Sequence, residues 1–404
     1  MNPADFPFIP AWPPAVTPLA WVALLLLLAI VAGEATRRWL RVSRVIGYLL
    51  VGAALGPHAA GVLDTNTVLT LRVFMDIAVG LLLFELGQRV DLGWLRRNPW
   101  LLVTSVFEAM LTMIAVYAVM RLLGVAVVTA AAAGVLAMAT SPAVVVTLVK
   151  DLRAQGQVTE RVMLFTALNT TYAVIGLAVI FGWFHAENAR SPIMIVTHPM
   201  YLIIGSLLLA GLLAAGMILL LRLFGRSPAF QFAITVSIVL LTVAAASSLG
   251  VLLPLTLLLL GMLARLFDRE RHFVSLRFGQ SAMLFVVLLF ALAGTSLEFR
   301  GWSNALPMAL GFIAARYIGK LVPLLLLAKV SSLTPRKASL VQLGLTPMSG
   351  LALLMLSDLS EQAPALVQEI AASMYLAITI LAFAGPIALQ FALRRAGETA
   401  EDAK

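Results

Sequence analysis

From residue 16 to residue 393 the chain repeats one pattern: an apolar run, then a short polar or basic loop. No run alternates with the two-residue period of a membrane β-strand, and a bilayer core needs about 20 apolar residues per crossing helix. The pattern therefore predicts an all-α polytopic membrane protein of about thirteen transmembrane helices. They cover residues 16–38, 44–62, 67–91, 99–123, 125–150, 159–185, 198–222, 229–248, 251–267, 278–298, 303–328, 337–356 and 367–393. Two runs are interrupted. The fifth reads VLAMATSPAVVVTLVK, with Thr140, Ser141 and Pro142 near its middle; the twelfth reads LVQLGLTPMSGLALLM, with Thr346, Pro347, Ser349 and Gly350. Proline removes a backbone donor and glycine weakens a helix. The sixth run holds a polar island, Asn169-Thr170-Thr171-Tyr172.

For one helix alone, a proline of this kind is ordinarily a kink that neighbouring helices satisfy. Here the two interruptions hold matching places. Run five is fifth among one to six, and run twelve is fifth among eight to thirteen, with run seven as a linker between groups of opposite orientation. Paired broken helices in inverted halves point to the binding site of a secondary transporter, where half-helix ends supply partial charges. The expected layout is an extracytoplasmic segment 1–15, a transmembrane domain 16–394, and a cytoplasmic tail 395–404. Within the domain, repeat one covers 16–185, the linker helix 198–222 and repeat two 229–394.

Composition agrees: 61% of the 404 residues are hydrophobic, 12% are charged and the mean hydropathy is +1.01, far from a soluble domain. With no cysteine, disulfides and thiolate metal sites are excluded. No basic segment precedes the first apolar run, so the start does not read as a cleaved signal peptide. The net charge of +9 is distributed by loop. Of the 28 lysines and arginines, 22 fall in one set of alternate loops and the tail, among them Arg37, Arg41, Arg97, Lys150, Arg161, Arg269 and Arg394. The other set has only Arg121, Arg190 and Arg300. The positive-inside rule places the first set and the C-terminus in the cytoplasm and the N-terminus outside, in a bacterial inner membrane. Basicity thus marks topology, and no nucleic-acid partner is expected.

Several stretches carry a family resemblance. RVIGYLLVGAALGP (44–57), DIAVGLLLFELGQRVDL (76–92), ATSPAVVV (139–146), FALAGTSLEF (290–299) and QLGLTPMSGLAL (342–353) resemble, in this order, the monovalent cation:proton antiporter-2 family of the cation/proton antiporter superfamily, which has the sodium/proton exchanger fold. The resemblance implies two inverted six-helix repeats and a homodimer. It implies a core of helices four, five, six, eleven, twelve and thirteen that moves against a dimerisation domain in an elevator-like cycle. It also implies a monovalent cation, Na⁺ or K⁺, and a proton as the transported partners, with no cofactor. Two sites depart from the pattern of many relatives. The helix-six pair that ends in Asp falls on Asn169 and Thr170, and the Thr-Asp-Pro of many relatives is Thr140-Ser141-Pro142. Asn and Thr offer oxygens to a cation but do not titrate. Alternatively, Asn169, Thr170 and Thr171 bridge helices six and five, at about 0.6 kcal/mol per hydrogen bond.

The remaining membrane charges are few. Glu108 lies near mid-depth of helix four, while Arg316 and Lys320 share one face of helix eleven by their four-residue spacing. The resemblance places such basic residues in the core near the ion site. Intramembrane ionisable groups are functional candidates by default, so Glu108 is expected to face Arg316 or Lys320 and to titrate during transport. The alternative is a static ion pair joining the two helices. Thr140, Ser141, Asn169, Thr170, Thr346 and Ser349 are the candidate ion or substrate ligands. Asp76 and Glu85, in helix three, are secondary candidates: a structural role for Asp76, and contact with water or cytoplasmic arginines for Glu85. The four histidines show no metal-ligand spacing. No GxGxxG follows the last helix, so no regulatory nucleotide-binding domain is expected in this chain, and no nucleophile–base motif points to an enzyme. Three functions remain: cation/proton antiport, transport of an anion or neutral solute on the same scaffold, and a non-transporting sensor.

Overall fold

A computed structural model describes residues 18–400 apart from 58, 64, 91, 190–192, 225–226, 269–279, 296 and 298–301. The expected N-terminal segment 1–15 lies outside the described residues, as do His58, Arg190, Arg226, His272, Arg300 and most of the basic stretch 265–277. The described residues form helices joined by turns. Eight helical stretches are long and apolar enough to cross a membrane, and four shorter apolar helices accompany them. The chain is an integral membrane protein.

The order is α1 (Pro18–Ala35, extended by a π-helical turn Thr36–Leu40), α2 (Arg44–Leu55), α3 (Thr65–Arg89), α4 (Leu92–Arg97), α5 (Pro99–Leu122), α6 (Val127–Met138), α7 (Pro142–Asp151) and α8 (Gln157–Ala189). Next come α9 (Met194–Phe224), α10 (Pro228–Leu249), α11 (Leu253–Phe267), α12 (Gln280–Thr295), α13 (Trp302–Leu326), α14 (Pro335–Gly344), α15 (Gly350–Gln362), α16 (Pro364–Val367) and α17 (Ala371–Arg395). Local chemistry sets several starts. Ser43, Ser141, Ser227 and Thr334 each accept a hydrogen bond from a first-turn amide of α2, α7, α10 and α14, and proline opens α5, α7, α10 and α14, where its missing N–H costs nothing.

Each apolar run holds a helix or a helix pair, with shifts at the ends. The second stops at Leu55 instead of 62, because Gly56 turns out of the helix and donates its N–H to the Gly52 carbonyl ahead of Pro57. The fifth and twelfth runs are true breaks: the chain leaves the helix over 139–141 and 345–349. The short helices α4 and α16 have no counterpart among the predicted runs. Burial singles out the broken run. Every residue in the membrane window of α6 and α7 is buried, against at most 67% for the other seven stretches. A break shielded in this way can leave backbone groups unpaired within the helix without exposing them to lipid.

The segment after α17 packs back on the fold. Glu398 accepts hydrogen bonds from the Val158 amide (2.8 Å), the Thr159 amide (2.7 Å) and the Thr159 hydroxyl (2.8 Å), and its carbonyl accepts from the Gln155 amide (2.9 Å). A carboxylate on the first amides of a helix satisfies donors that have no partner within it and complements the dipole. Glu398→Ala is expected to remove this cap and cost about 0.5–2 kcal/mol. The melting temperature of the purified protein in detergent should fall, and Glu398→Gln should fall less.

Candidate functional site

The two breaks meet. The Ser141 amide donates to the Pro347 carbonyl (2.8 Å), the Thr140 hydroxyl to the Leu345 carbonyl (3.4 Å), and the Ser141 and Ser349 hydroxyls are hydrogen-bonded at 2.8 Å. Each break thereby satisfies part of the backbone that the other leaves open. Gly385 of α17 backs the crossing: a Cβ there would lie 2.4 Å from the Pro347 Cα, so only glycine permits this approach. Four helix ends converge, and their dipoles differ in sign. The C-termini of α6 and α14 present carbonyls, while the N-termini of α7 and α15 present amides.

The carbonyl ends are covered by α13. Arg316 donates from Nε to Ala137 (3.0 Å), from Nη1 to Thr346 (3.0 Å), and from Nη2 to Ala139 (2.8 Å) and Leu345 (3.1 Å), all backbone carbonyls at the two C-terminal ends. One turn on, Lys320 donates to the Met138 carbonyl (3.2 Å) and to Glu108 Oε1 (2.6 Å). Glu108 and Lys320 are fully buried, and Arg316 is nearly so. The partner that sequence spacing left open is therefore Lys320, with Arg316 committed to backbone. The pairing depends on close helices. A Cβ on Gly319 would lie 2.6 Å from the Thr112 Cα of α5, one turn after Glu108, so glycine is what lets α13 approach α5 here. Glu108 Oε2 has no partner among the described residues. One turn before Glu108, the Ser105 hydroxyl lies 3.4 Å from the Tyr172 hydroxyl of α8.

In the polar island of α8, Asn169 and Thr170 are buried and Thr171 and Tyr172 are half-buried. Gly176 of α8 packs against Val135 and Met138 near the end of α6, and Asn169 lies about two turns before it. Thr171 bonds back to the Ala167 carbonyl of its own helix (3.0 Å). Both side-chain polar atoms of Asn169, and the hydroxyls of Thr166, Thr170 and Thr346, are without partners among the described residues. The alternative reading, a bridge from Asn169, Thr170 and Thr171 to helix five, finds no such hydrogen bond among the described residues. At the amide ends, Ser141, Pro142 and Gly350 join Val79 and Leu83 of α3 and Phe290 of α12 around a cavity of about 10 Å³, room for about one water.

The secondary candidates diverge. Glu85 is buried near the end of α3, where it pairs with Lys150 of α7 and, at 3.3 Å, with Arg89. Arg89 is one of the cytoplasmic arginines expected near Glu85, and Lys150, at the last turn of the broken helix, is a second partner. Asp76 is half-buried about two and a half turns earlier on α3. Among the described residues no group of three or more His, Asp or Glu could hold a metal. Sequence reasoning missed the Ser105–Tyr172 contact and the Glu85–Lys150 pair. The first had a signal in the tyrosine of the polar island.

The sequence profile described as "Sodium/hydrogen exchanger, transmembrane" matches residues 23–395. No curated protein sequence matches. Two solved structures of the sodium proton antiporter MjNhaP1 from Methanocaldococcus jannaschii share the fold. The one determined at pH 8 has a TM-score of 0.68 at 16% identity, covering 96% of this chain and 98% of that one. The electron-microscopy one has a TM-score of 0.71 at 15% identity, covering 94% and 98%. Since the profile spans nearly all of the helical domain, both broken helices and the buried ion pair included, the chain belongs to the sodium/hydrogen exchanger transmembrane family.

Proposed function

We propose that this chain exchanges a monovalent cation, Na⁺ or K⁺, for protons by elevator-like alternating access, with Glu108 as the titrating group. One observation carries the reading: a fully buried carboxylate stands beside the crossing of the broken helices, with one oxygen on Lys320 and the other unpartnered. Family membership and the solved antiporters of the same fold support the reaction class. When ionised, Glu108 leaves the buried trio with Arg316 and Lys320 at a net charge of +1. Loading either a proton or a monovalent cation on the carboxylate raises it to +2, so the two loaded states carry the same charge. That equality suits exchange of one for the other. The hydroxyls and amide of Thr140, Ser141, Asn169, Thr170, Thr346 and Ser349 supply neutral oxygens for a partly dehydrated cation. The moving core comprises α5 to α8, α13 to α15 and α17, the scaffold carries α1 to α3 and α10 to α12 and pairs with a second copy, and α9 links the repeats.

A second reading has its own observation. Two buried cations face one buried carboxylate, and the polar island of α8 carries no charge, which suits an anion or a neutral solute.

Reconstituted in liposomes with a preset pH gradient, the protein should dissipate the gradient on addition of Na⁺ or K⁺, and Glu108→Gln should abolish this. Cation-dependent flux that survives the substitution rejects Glu108 as carrier; absence of flux with Na⁺, K⁺ and Li⁺ in folded, reconstituted protein rejects antiport. A stability measurement separates transport from architecture. Lys320→Met should cost about 3–5 kcal/mol by leaving Glu108 buried and unpaired, and Glu108→Gln combined with Lys320→Met should recover much of the loss while remaining inactive. Thr170→Asp should strengthen cation–proton exchange, since it places a second titrating oxygen pair on α8; a folded variant with unchanged flux would count against a cation site there.

A further inference from the structure

At the end of the fold that bears Arg97 and Arg161, a cleft of about 440 Å³ opens between the start of α5, the start of α8 and the turn before α14. That volume is in the range of small-molecule sites. Its lining includes Arg97, Trp100, Gln157, Glu160, Arg161 and Ser331. Arg161 is the unusual member. It is 5% exposed, its Nη2 donates to the Ser331 carbonyl, and its Nε and Nη1 have no partner among the described residues. Guanidinium is always charged, and a buried cation with unpaired donors is unfavourable unless an anion meets it. Glu160, its neighbour on α8, is exposed and makes no ion pair with it among the described residues.

Two further features have the same sign. Arg97 stands exposed on the cleft as a second cation. The N-terminus of α5 opens there too, with Pro99 at its first position and no side-chain cap, so the positive end of a 24-residue helix faces the cleft. By contrast the start of α8 is already occupied by Glu398. Two guanidiniums and an uncapped helix end favour a tetrahedral oxyanion with several acceptor oxygens over a single carboxylate. Trp100, half-exposed beside Arg97, has the character of a residue at a membrane–water boundary.

We infer that Arg161, Arg97 and the N-terminus of α5 bind a phosphate-bearing anion, supplied either as free phosphate or as the headgroup of an anionic phospholipid. The site is separate from the crossing of the broken helices and does not depend on the proposed antiport. Melting temperatures of the purified full chain in detergent, titrated with inorganic phosphate or with short-chain phosphatidic acid, test it; chloride at equal ionic strength and short-chain phosphatidylcholine are the controls. The native protein should be stabilised by at least one of the two phosphate probes beyond its control. In Arg161→Gln the apparent affinity should fall about tenfold or more, as for loss of a charged hydrogen-bond donor. Arg97→Gln, which leaves the buried interior untouched, should weaken binding in the same direction and keeps the test valid if Arg161→Gln does not fold. A response to inorganic phosphate assigns a soluble anion, and a response to phosphatidic acid alone assigns a lipid headgroup. No stabilisation by either probe, or equal stabilisation of native and Arg97→Gln proteins, overturns the inference.

Discussion

A helix that stops inside a membrane leaves carbonyls at one end and amides at the other, and hydrocarbon satisfies neither. Arg316 answers half of that problem for two helices at once. Its four hydrogen bonds take carbonyls from both sides of the crossing, so the C-terminal ends of α6 and α14 are held together by one side chain. Lys320 takes a fifth carbonyl and then needs a counter-charge, which Glu108 supplies. The site's ionic composition follows from this order of demands: the breaks require cations, and the cations require a carboxylate. Charge placed for backbone satisfaction is thereby concentrated in the buried interior of the crossing.

The amide ends are treated differently. Ser141 and Ser349 bond to each other, and among the described residues no acidic one lines the cavity beside them. Positive helix ends facing a nearly dry apolar pocket make that side of the crossing receptive to oxygen atoms. The other side is crowded by the cations Arg316 and Lys320, with Glu108 as the counter-charge of Lys320. The crossing is therefore polar in a directional sense, with its two faces set by helix direction as much as by side chains.

Much of this was legible in the sequence. The prolines of the fifth and twelfth runs, with Gly350 in the twelfth, marked where the helices are interrupted to within about a residue, because both residue types act on the backbone locally. Membership of the exchanger family agrees with the stretches that carried the resemblance. The choice between Arg316 and Lys320 as partner of Glu108 was not legible, since four-residue spacing puts both on one face and only the approach permitted by Gly319 decides it. The role of Arg316 was hidden for a different reason: its acceptors are backbone carbonyls, which every residue has. The Glu398 cap joins positions about 240 apart and leaves no local pattern. The early stop of α2 could have been read from Gly56-Pro57, but the length of the apolar run outweighed it.

That cap also bears on timing. Glu398 emerges from the ribosome 239 residues after Thr159, whose amide it satisfies. The helix carrying Asn169 and Thr170 is thus made before all of α9 to α17, the nine further helices among the described residues, with its first turn unfinished until Glu398 follows. Closure of α8 belongs to the late stages of folding, when α17 is in place and the segment behind it can reach back. Quality control that senses exposed helix ends would have a long window in which to inspect this chain.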